Sequence, residues 1–357
     1  MKRATDEAPP ESDRFDDAPH PRDTYDLFGH SAAEAQLLDA YREGRLPQAW
    51  IIGGREGIGK ATLAWRFTRF LLAHPDPTAI VVREATDLSV SPENSVARRI
   101  SALSHGDIAL LRREWNEKTK KHYTEIRIDD IRRALDLFRR ASGEGGWRIA
   151  IIDAAEDLNR SGANALLKLI EEPPPRSLFL IISHTPGRIL PTIRSRSRML
   201  LLESLSTPQV VDAIRRMDEI WMEHEESAIE SAAQRAGGSV RDALRLLNGG
   251  ALALADKVDG LLRRLPEVNW MAVHELADNV SKREATSDFE AVLANVYVWI
   301  DGRVIERAAL DAPARLARYA EVWEKVAAAA RETEALNLDR RPLLLSIFAN
   351  LSEAARN

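Results

Sequence analysis

The sequence predicts an α/β domain built on a mainly parallel sheet covered by helices, followed by a small helical domain and a larger all-α one. Three observations predict it. Residues 49–73 read as a strand, a glycine loop and an amphipathic helix. Two further apolar strands, Arg148–Asp153 and Leu178–Ser183, flank the helical stretch NRSGANALLKLIEE. Beyond about Glu203 the strand signals almost vanish and the chain reads as successive amphipathic helices. Strands that alternate with helices imply parallel pairing with both faces of the sheet buried.

Taken in order, residues 1–23 lack apolar periodicity and are rich in Pro, Asp and Glu, so a disordered tail is expected. The segment HSAAEAQLLDAYREGRL then carries apolar residues at helical spacing until Pro47 interrupts it. Ala49–Ile52 is the first strand, Gly53–Gly59 the loop, and KATLAWRFTRFLLA from Lys60 the helix. Pro173, Pro174 and Pro175 break the chain before the third strand, and Gly237-Gly238 and Gly249-Gly250 punctuate the helical remainder. The expected domains are 24–204 (α/β), 205–252 (a helical lid) and 253–357 (a helical domain).

Composition excludes several classes. With 45% hydrophobic residues the 357-residue chain has enough apolar surface for more than one core. Its 50 basic and 55 acidic side chains leave a net charge of -5, so no global field draws it to nucleic acid, and any DNA contact must be local. The absence of cysteine removes disulfides, thiolate zinc sites and thiol nucleophiles; no metal site and no zinc are expected. The opening residues alternate charge and proline where a secretory signal needs an apolar run, and no stretch is long enough to span a membrane. A cytoplasmic protein with no membrane contact is expected.

The loop carries the most specific chemistry. A phosphate loop needs Gly, four residues, Gly, Lys and then Ser or Thr: backbone N–H groups wrap the phosphates, Lys reaches the terminal ones, and the hydroxyl holds magnesium. Here Gly54, Gly57, Gly59 and Lys60 are present, but Ala61 stands where the hydroxyl belongs. Thr62 is no simple substitute, because one helical residue rotates a side chain by about 100°. The pattern is open between ATP bound without hydrolysis and a vestigial loop kept for its turns.

The strand WRIAIID should deliver Asp153 to the magnesium water shell, and a hydrolytic site needs an acid next to it to orient water. Ala154 follows instead. Glu156 and Asp157 lie past the strand end and read as acids favourable to a helix N-terminus. Two losses on separate segments strike the same chemical step while sparing glycines and buried strands. A nucleotide-site fold kept without its hydrolysis is the economical reading.

The runs NALLKLIEEPP (Asn164–Pro174) and TIRSRS (Thr192–Ser197), the stretch FGHSAAEAQLLDAYREGRLPQAW and the run GGSVRDALRLL together resemble the clamp-loader branch of the AAA+ family, within it the delta-prime type of bacterial DNA polymerase III. That resemblance implies an AAA+ P-loop domain, a lid and a C-terminal collar that joins a five-membered ring. Family members insert the Arg of a Ser-Arg-Cys motif into the neighbouring subunit's ATP site. The matching residue is Arg196, with Ser197 in place of Cys, so Arg196 is the expected catalytic arginine finger in trans.

Arg241 matches the lid arginine facing nucleotide, and Ser183–Thr185 falls where a polar sensor is expected. Gly54, Gly57, Gly59, Lys60, Thr62, Asp153 and Arg241 thus form a degenerate ATP site. Relatives often carry a four-cysteine zinc module where this chain has RREWNEKTKKHYTEIRI. Implied partners are the motor subunits (gamma/tau), the delta subunit, the sliding clamp and, through the complex, primer-template DNA. The rival expectation is an active motor ATPase. The basic residues Arg132, Arg133, Arg139 and Arg140 read first as a solvated helix face and second as phosphate contacts. The apolar run LLLSIFANL is either collar interface or ordinary core.

Overall fold

The computed structural model describes residues 9–15, 18–139, 146–217, 221, 223–282, 286–308, 313–335 and 338–356. Two compact units divide the chain, Met1–Leu244 and Arg245–Asn357. The first runs through α1 (Ser31–Arg42), β1 (Ala49–Gly53), α2 (Lys60–Ala73), α3 (Ile80–Glu84), α4 (Ser95–Ser101), β2 (Ile108–Leu111), the short strands β3 (Trp115–Asn116) and β4 (Lys121–His122), and α5 (Ile128–Arg139). It continues with β5 (Arg148–Ile152), α6 (Arg160–Glu171), β6 (Ser177–Ser183), α7 (Pro191–Arg194), β7 (Arg198–Leu201), α8 (Thr207–Arg215), α9 (Glu226–Arg235) and the start of α10 (Val240–Leu247).

The main sheet has the order β2-β5-β6-β1-β7 and every pairing in it is parallel. Alternation along the three central strands feeds two cores. Trp50 and Ile52, Ile149 and Ile151, and Leu178, Leu180 and Ile182 face one side, with Leu63, Phe67 and Phe70 of α2. Ala49 and Ile51, Ala150 and Ile152, and Phe179 and Ile181 face the other, with Ile131 and Phe138 of α5 and Leu166 and Ile170 of α6. A period of two with both faces apolar is what helices on both sides of a parallel sheet require. The architecture is the expected α/β type, a parallel sheet covered by helices on both faces.

Two strands of the main sheet were not expected from the sequence. β2 and β7 are four residues each and lie at the sheet edges, where a short apolar run carries no periodicity to separate strand from helix. A larger correction concerns residues 1–23. Of these, 9–15 and 18–23 are described, and they are packed rather than loose: the side chains of Asp13 and His20 are each only 1% exposed and lie 3.1 Å apart. Arg112, a hundred residues away, pairs with both Glu11 and Asp13, and His20 meets Trp65 edge-on. Composition does not disclose this packing, because the partners of these acids are distant in sequence.

Residues 205–244 belong to the same unit as the sheet, so the division falls at 244/245, before the boundary expected near 252. Helix α8 opens with a capping box, in which the Ser206 backbone N–H donates to Gln209 Oε1 at 2.9 Å. The elements of the second unit among its described residues are helices: α11 (Ala251–Arg263), α12 (Trp270–Val280), α13 (Thr286–Ala308), α14 (Pro313–Ala335) and α15 (Arg340–Arg356). Leu343, Leu344, Ile347, Phe348 and Leu351 of LLLSIFANL are buried in its core with Val258, Val273 and Val296, which resolves that run as core. Trp270, Met271, Val298 and Ile305 are exposed. No helix among the described residues is long and apolar enough to cross a membrane.

Candidate functional site

The order β5-β6-β1 places three strand ends side by side: Ile152 leading to Asp153, Ser183 leading to His184, and Gly53 leading into the glycine loop. Ligands of open parallel sheets bind at such carboxyl ends. A cavity of about 540 Å³ lies there, lined among others by Gly57, Gly59, Lys60, Thr62, Asp153, His184 and Arg241. The fold therefore assembles most of the sequence-predicted ATP site in one place.

The loop keeps its shape. Gly57 and Gly59 take positive φ angles of 77° and 103°, and Gly59 precedes the 14-residue helix α2, whose first N–H groups point into the cavity end of the helix. His30 hydrogen-bonds the Ile58 carbonyl through Nε2 at 2.6 Å and ties the loop to the start of α1. Gly57, however, is held against the lid: its carbonyl accepts from Val240 N at 2.9 Å, and a Cβ there would stand 2.5 Å from Cβ of Arg241.

The polar groups expected to meet phosphate are engaged within the chain. Lys60 is 3% exposed and donates to the Arg55 carbonyl at 2.5 Å. Burial lowers its pKa to about 8, against the opposing pull of Asp153, Glu56 and Glu156. Arg241 pairs with Glu56 of the loop at 2.5 Å and sits 5.3 Å over the Phe15 ring. Arg55 bridges to Asp242 at 2.8 Å and to the Gly237 carbonyl at 3.0 Å. Loop and lid are thus tied together by two ion pairs and a backbone hydrogen bond.

The acidic side departs from the expectation for Glu156 and Asp157. Neither caps α6; Asn159 does, accepting from Gly162 N at 2.8 Å. Glu156 reaches across to the end of β6 and accepts from Ser183 Oγ at 2.6 Å, His184 N at 3.0 Å, Thr185 N at 2.7 Å and Thr185 Oγ1 at 3.0 Å. Burial works to raise its pKa, but these donors hold it below the usual carboxylate range. The sensor stretch Ser183–Thr185 is therefore bound to Glu156. Asp157 pairs with Arg113 at 2.9 Å. Burial, reinforced by the nearby Asp13 carboxylate, pushes Asp153 up to about 7.

This residue set does not fit a magnesium triphosphate poised for hydrolysis. The hydroxyl position is Ala61, Thr62 is one residue along the helix, and no free carboxylate follows Asp153. The glycines, Lys60 and the α2 N-terminus retain the elements that could hold phosphate alone. Asp13 and Phe15 of the N-terminal segment also line the cavity, an arrangement that no local signal in residues 11–23 disclosed.

Arg196 lies outside the residues that line this cavity. It occupies the turn after α7 with its side chain 42% exposed, pairs with Glu171 at 2.9 Å, and donates to the Thr192 carbonyl at 3.1 Å. Of the helix α5 residues, Arg132 pairs with Asp129 at 3.2 Å and Arg133 pairs with Asp130, as on a solvated face. The side chain of Arg139 and the whole of Arg140 lie outside the described residues. The segment RREWNEKTKKHYTEIRI forms the antiparallel β3–β4 pair, with Trp115 edge-on to His122.

Comparison with known proteins agrees with this architecture. The model of the family described as DNA polymerase III, delta subunit, matches residues 29–206, from the start of α1 to the capping box of α8. The DNA polymerase III subunit delta' of Pseudomonas aeruginosa is 29% identical over 220 residues, 61% of this chain and 62% of that protein. The DNA polymerase III subunit tau of Salmonella typhimurium is 26% identical over 275 residues, 76% of this chain but only 38% of that protein. The matches thus span under two thirds of either relative. A solved gamma subunit-related protein from Thermotoga maritima aligns with a TM-score of 0.37 and 16% identity over 90% of this chain and 100% of that one. The matched family, the named relatives and the parallel sheet support one reading, a DNA polymerase III subunit of the clamp-loader branch.

Proposed function

We propose that the chain is a non-hydrolysing, stationary subunit of a cytoplasmic DNA polymerase III clamp loader, of the delta-prime type, that donates Arg196 to ATP bound by a neighbouring motor subunit. One observation carries this reading: the chain's own phosphate-loop groups are paired internally, while Arg196 is held at the surface away from that cavity. A guanidinium supplied in trans neutralises charge on the transferred phosphoryl group. Its partners are then the gamma/tau motor subunits, the delta subunit, the sliding clamp and, through the complex, primer-template DNA. The exposed Trp270, Met271, Val298 and Ile305 of the second unit supply apolar surface for a collar.

In this reading Gly54, Gly57, Gly59, Lys60, Thr62, Asp153 and Arg241 maintain a nucleotide-site shape without its hydrolysis. An active motor ATPase would need a magnesium hydroxyl at position 61 and an acid after Asp153; the sequence has Ala61 and Ala154. The test is ATP turnover by the isolated chain and by motor subunits reconstituted with wild-type or Arg196→Ala protein, with clamp and primed DNA present. The isolated chain is expected to show no turnover, and Arg196→Ala to remove the share of assembly turnover that the neighbouring motor's site supplies, a loss of about 10³-fold at that site. Steady turnover by the isolated chain would contradict the reading.

A further inference from the structure

Two of the stretches that carry the family resemblance, NALLKLIEEPP and TIRSRS, meet in space at one ion pair. Glu171 is the last residue of α6, and its Oε1 lies 2.9 Å from Nη2 of Arg196. Nη1 of the same guanidinium donates to the Thr192 carbonyl at 3.1 Å and to Ser195 Oγ at 3.3 Å. The turn beneath is itself fixed: Ser195 Oγ donates to the Thr192 carbonyl at 3.1 Å, Ser197 Oγ donates to the Ile193 carbonyl at 2.8 Å, and Ile193 is buried against the sheet.

A long arginine side chain that must meet a phosphate on another molecule loses rotamer freedom on contact unless that freedom is already gone. Here three contacts from two elements hold the guanidinium before any partner arrives. Thr192 and Ser195 accept from Nη1 and Glu171 lies against Nη2, while the side chain stays 42% exposed, so part of its donor set is open to a phosphate. The Glu171 carboxylate is the one charged group among the three, and it comes from a different helix than the turn.

We propose that Glu171 is a positioning residue for the trans-acting arginine, its carboxylate setting the orientation in which Arg196 is presented to a neighbour's ATP. The inference rests on the reading of Arg196 given under Proposed function. Glu171 acts through Arg196 alone and touches no substrate. Its side chain is 40% exposed, so its replacement leaves the fold intact and the urea midpoint of the full chain unchanged.

The experiment is a four-cornered cycle in the reconstituted loader with clamp and primed DNA: wild type, Glu171→Gln, Arg196→Ala and the double variant, with kcat and KM for ATP measured separately. Glu171→Gln is expected to lower kcat about three- to tenfold with KM within about twofold. Glu171→Asp, which keeps the charge, recovers part of the loss, and Glu171→Gln adds nothing once Arg196 is Ala. A kcat unchanged or raised in Glu171→Gln, or the same loss in the Arg196→Ala background, overturns the positioning role while leaving the arginine reading intact. An unchanged kcat in Arg196→Ala alone overturns both.

Discussion

The phosphate-loop cavity and the Arg196 turn lie in the same unit and carry opposite signatures. In the cavity, three of the charged groups are satisfied within the chain: Lys60 by the Arg55 carbonyl, Arg241 by Glu56, and Glu156 by four donors at the end of β6. At the turn, an arginine is braced by Thr192, Ser195 and Glu171 and left partly exposed. On the function proposed above, the difference teaches that a nucleotide-site fold can serve as a packing device. Its glycines and strands hold loop, lid and sheet together, and the side chains that would meet nucleotide act as internal ties.

Gly57 gives the sharpest way to break that comparison. If the glycine persists for packing, Gly57→Val should destabilise the full chain by about 3 kcal/mol in urea unfolding without nucleotide, from a left-handed backbone and a collision with Ser239 and Arg241. A loss below about 0.5 kcal/mol would mean that the loop is not bound to the lid in solution.

Asp153 gives the next largest effect, and its sign depends on pH. Its folded pKa of about 7 is raised above the ordinary 3.8, so the folded state holds the proton more tightly. That contribution to stability is complete below about pH 4 and is lost as pH rises through about 7. Asp153→Asn escapes the loss. Its advantage in unfolding free energy over the wild type, measured in EDTA, should therefore grow from pH 4 to pH 8 and level off near about 2 kcal/mol, discounted for water reaching the carboxylate from the cavity. An advantage independent of pH would show that Asp153 titrates as it does in water.

Much of the fold was legible in the sequence. The central strands β1, β5 and β6 announce themselves because both their faces are apolar, and the glycine loop between β1 and α2 fixes the site that they share. The edge strands β2 and β7 were not legible, being too short to show a period. Ala61, Ala154 and Arg196 could be singled out by position in a motif. The roles of Asp13, Glu156 and Glu171 could not, since each depends on a partner brought from another segment: Arg112, Ser183 and Arg196. Motif spacing reports what lies along the chain, and ion pairs between segments appear only once the chain has folded.

The most direct test of the account sets the two regions against each other in one assay. Lys60→Ala and Arg196→Ala are introduced separately into the full chain, and clamp-dependent ATP turnover is measured in loaders of equal assembly on primed DNA. The account predicts that Lys60→Ala stays within about twofold of wild type while Arg196→Ala removes the neighbouring site's share of turnover, a loss of about 10³-fold at that site. Collapse with Lys60→Ala and normal turnover with Arg196→Ala would contradict it, and would make this chain a motor in its own right.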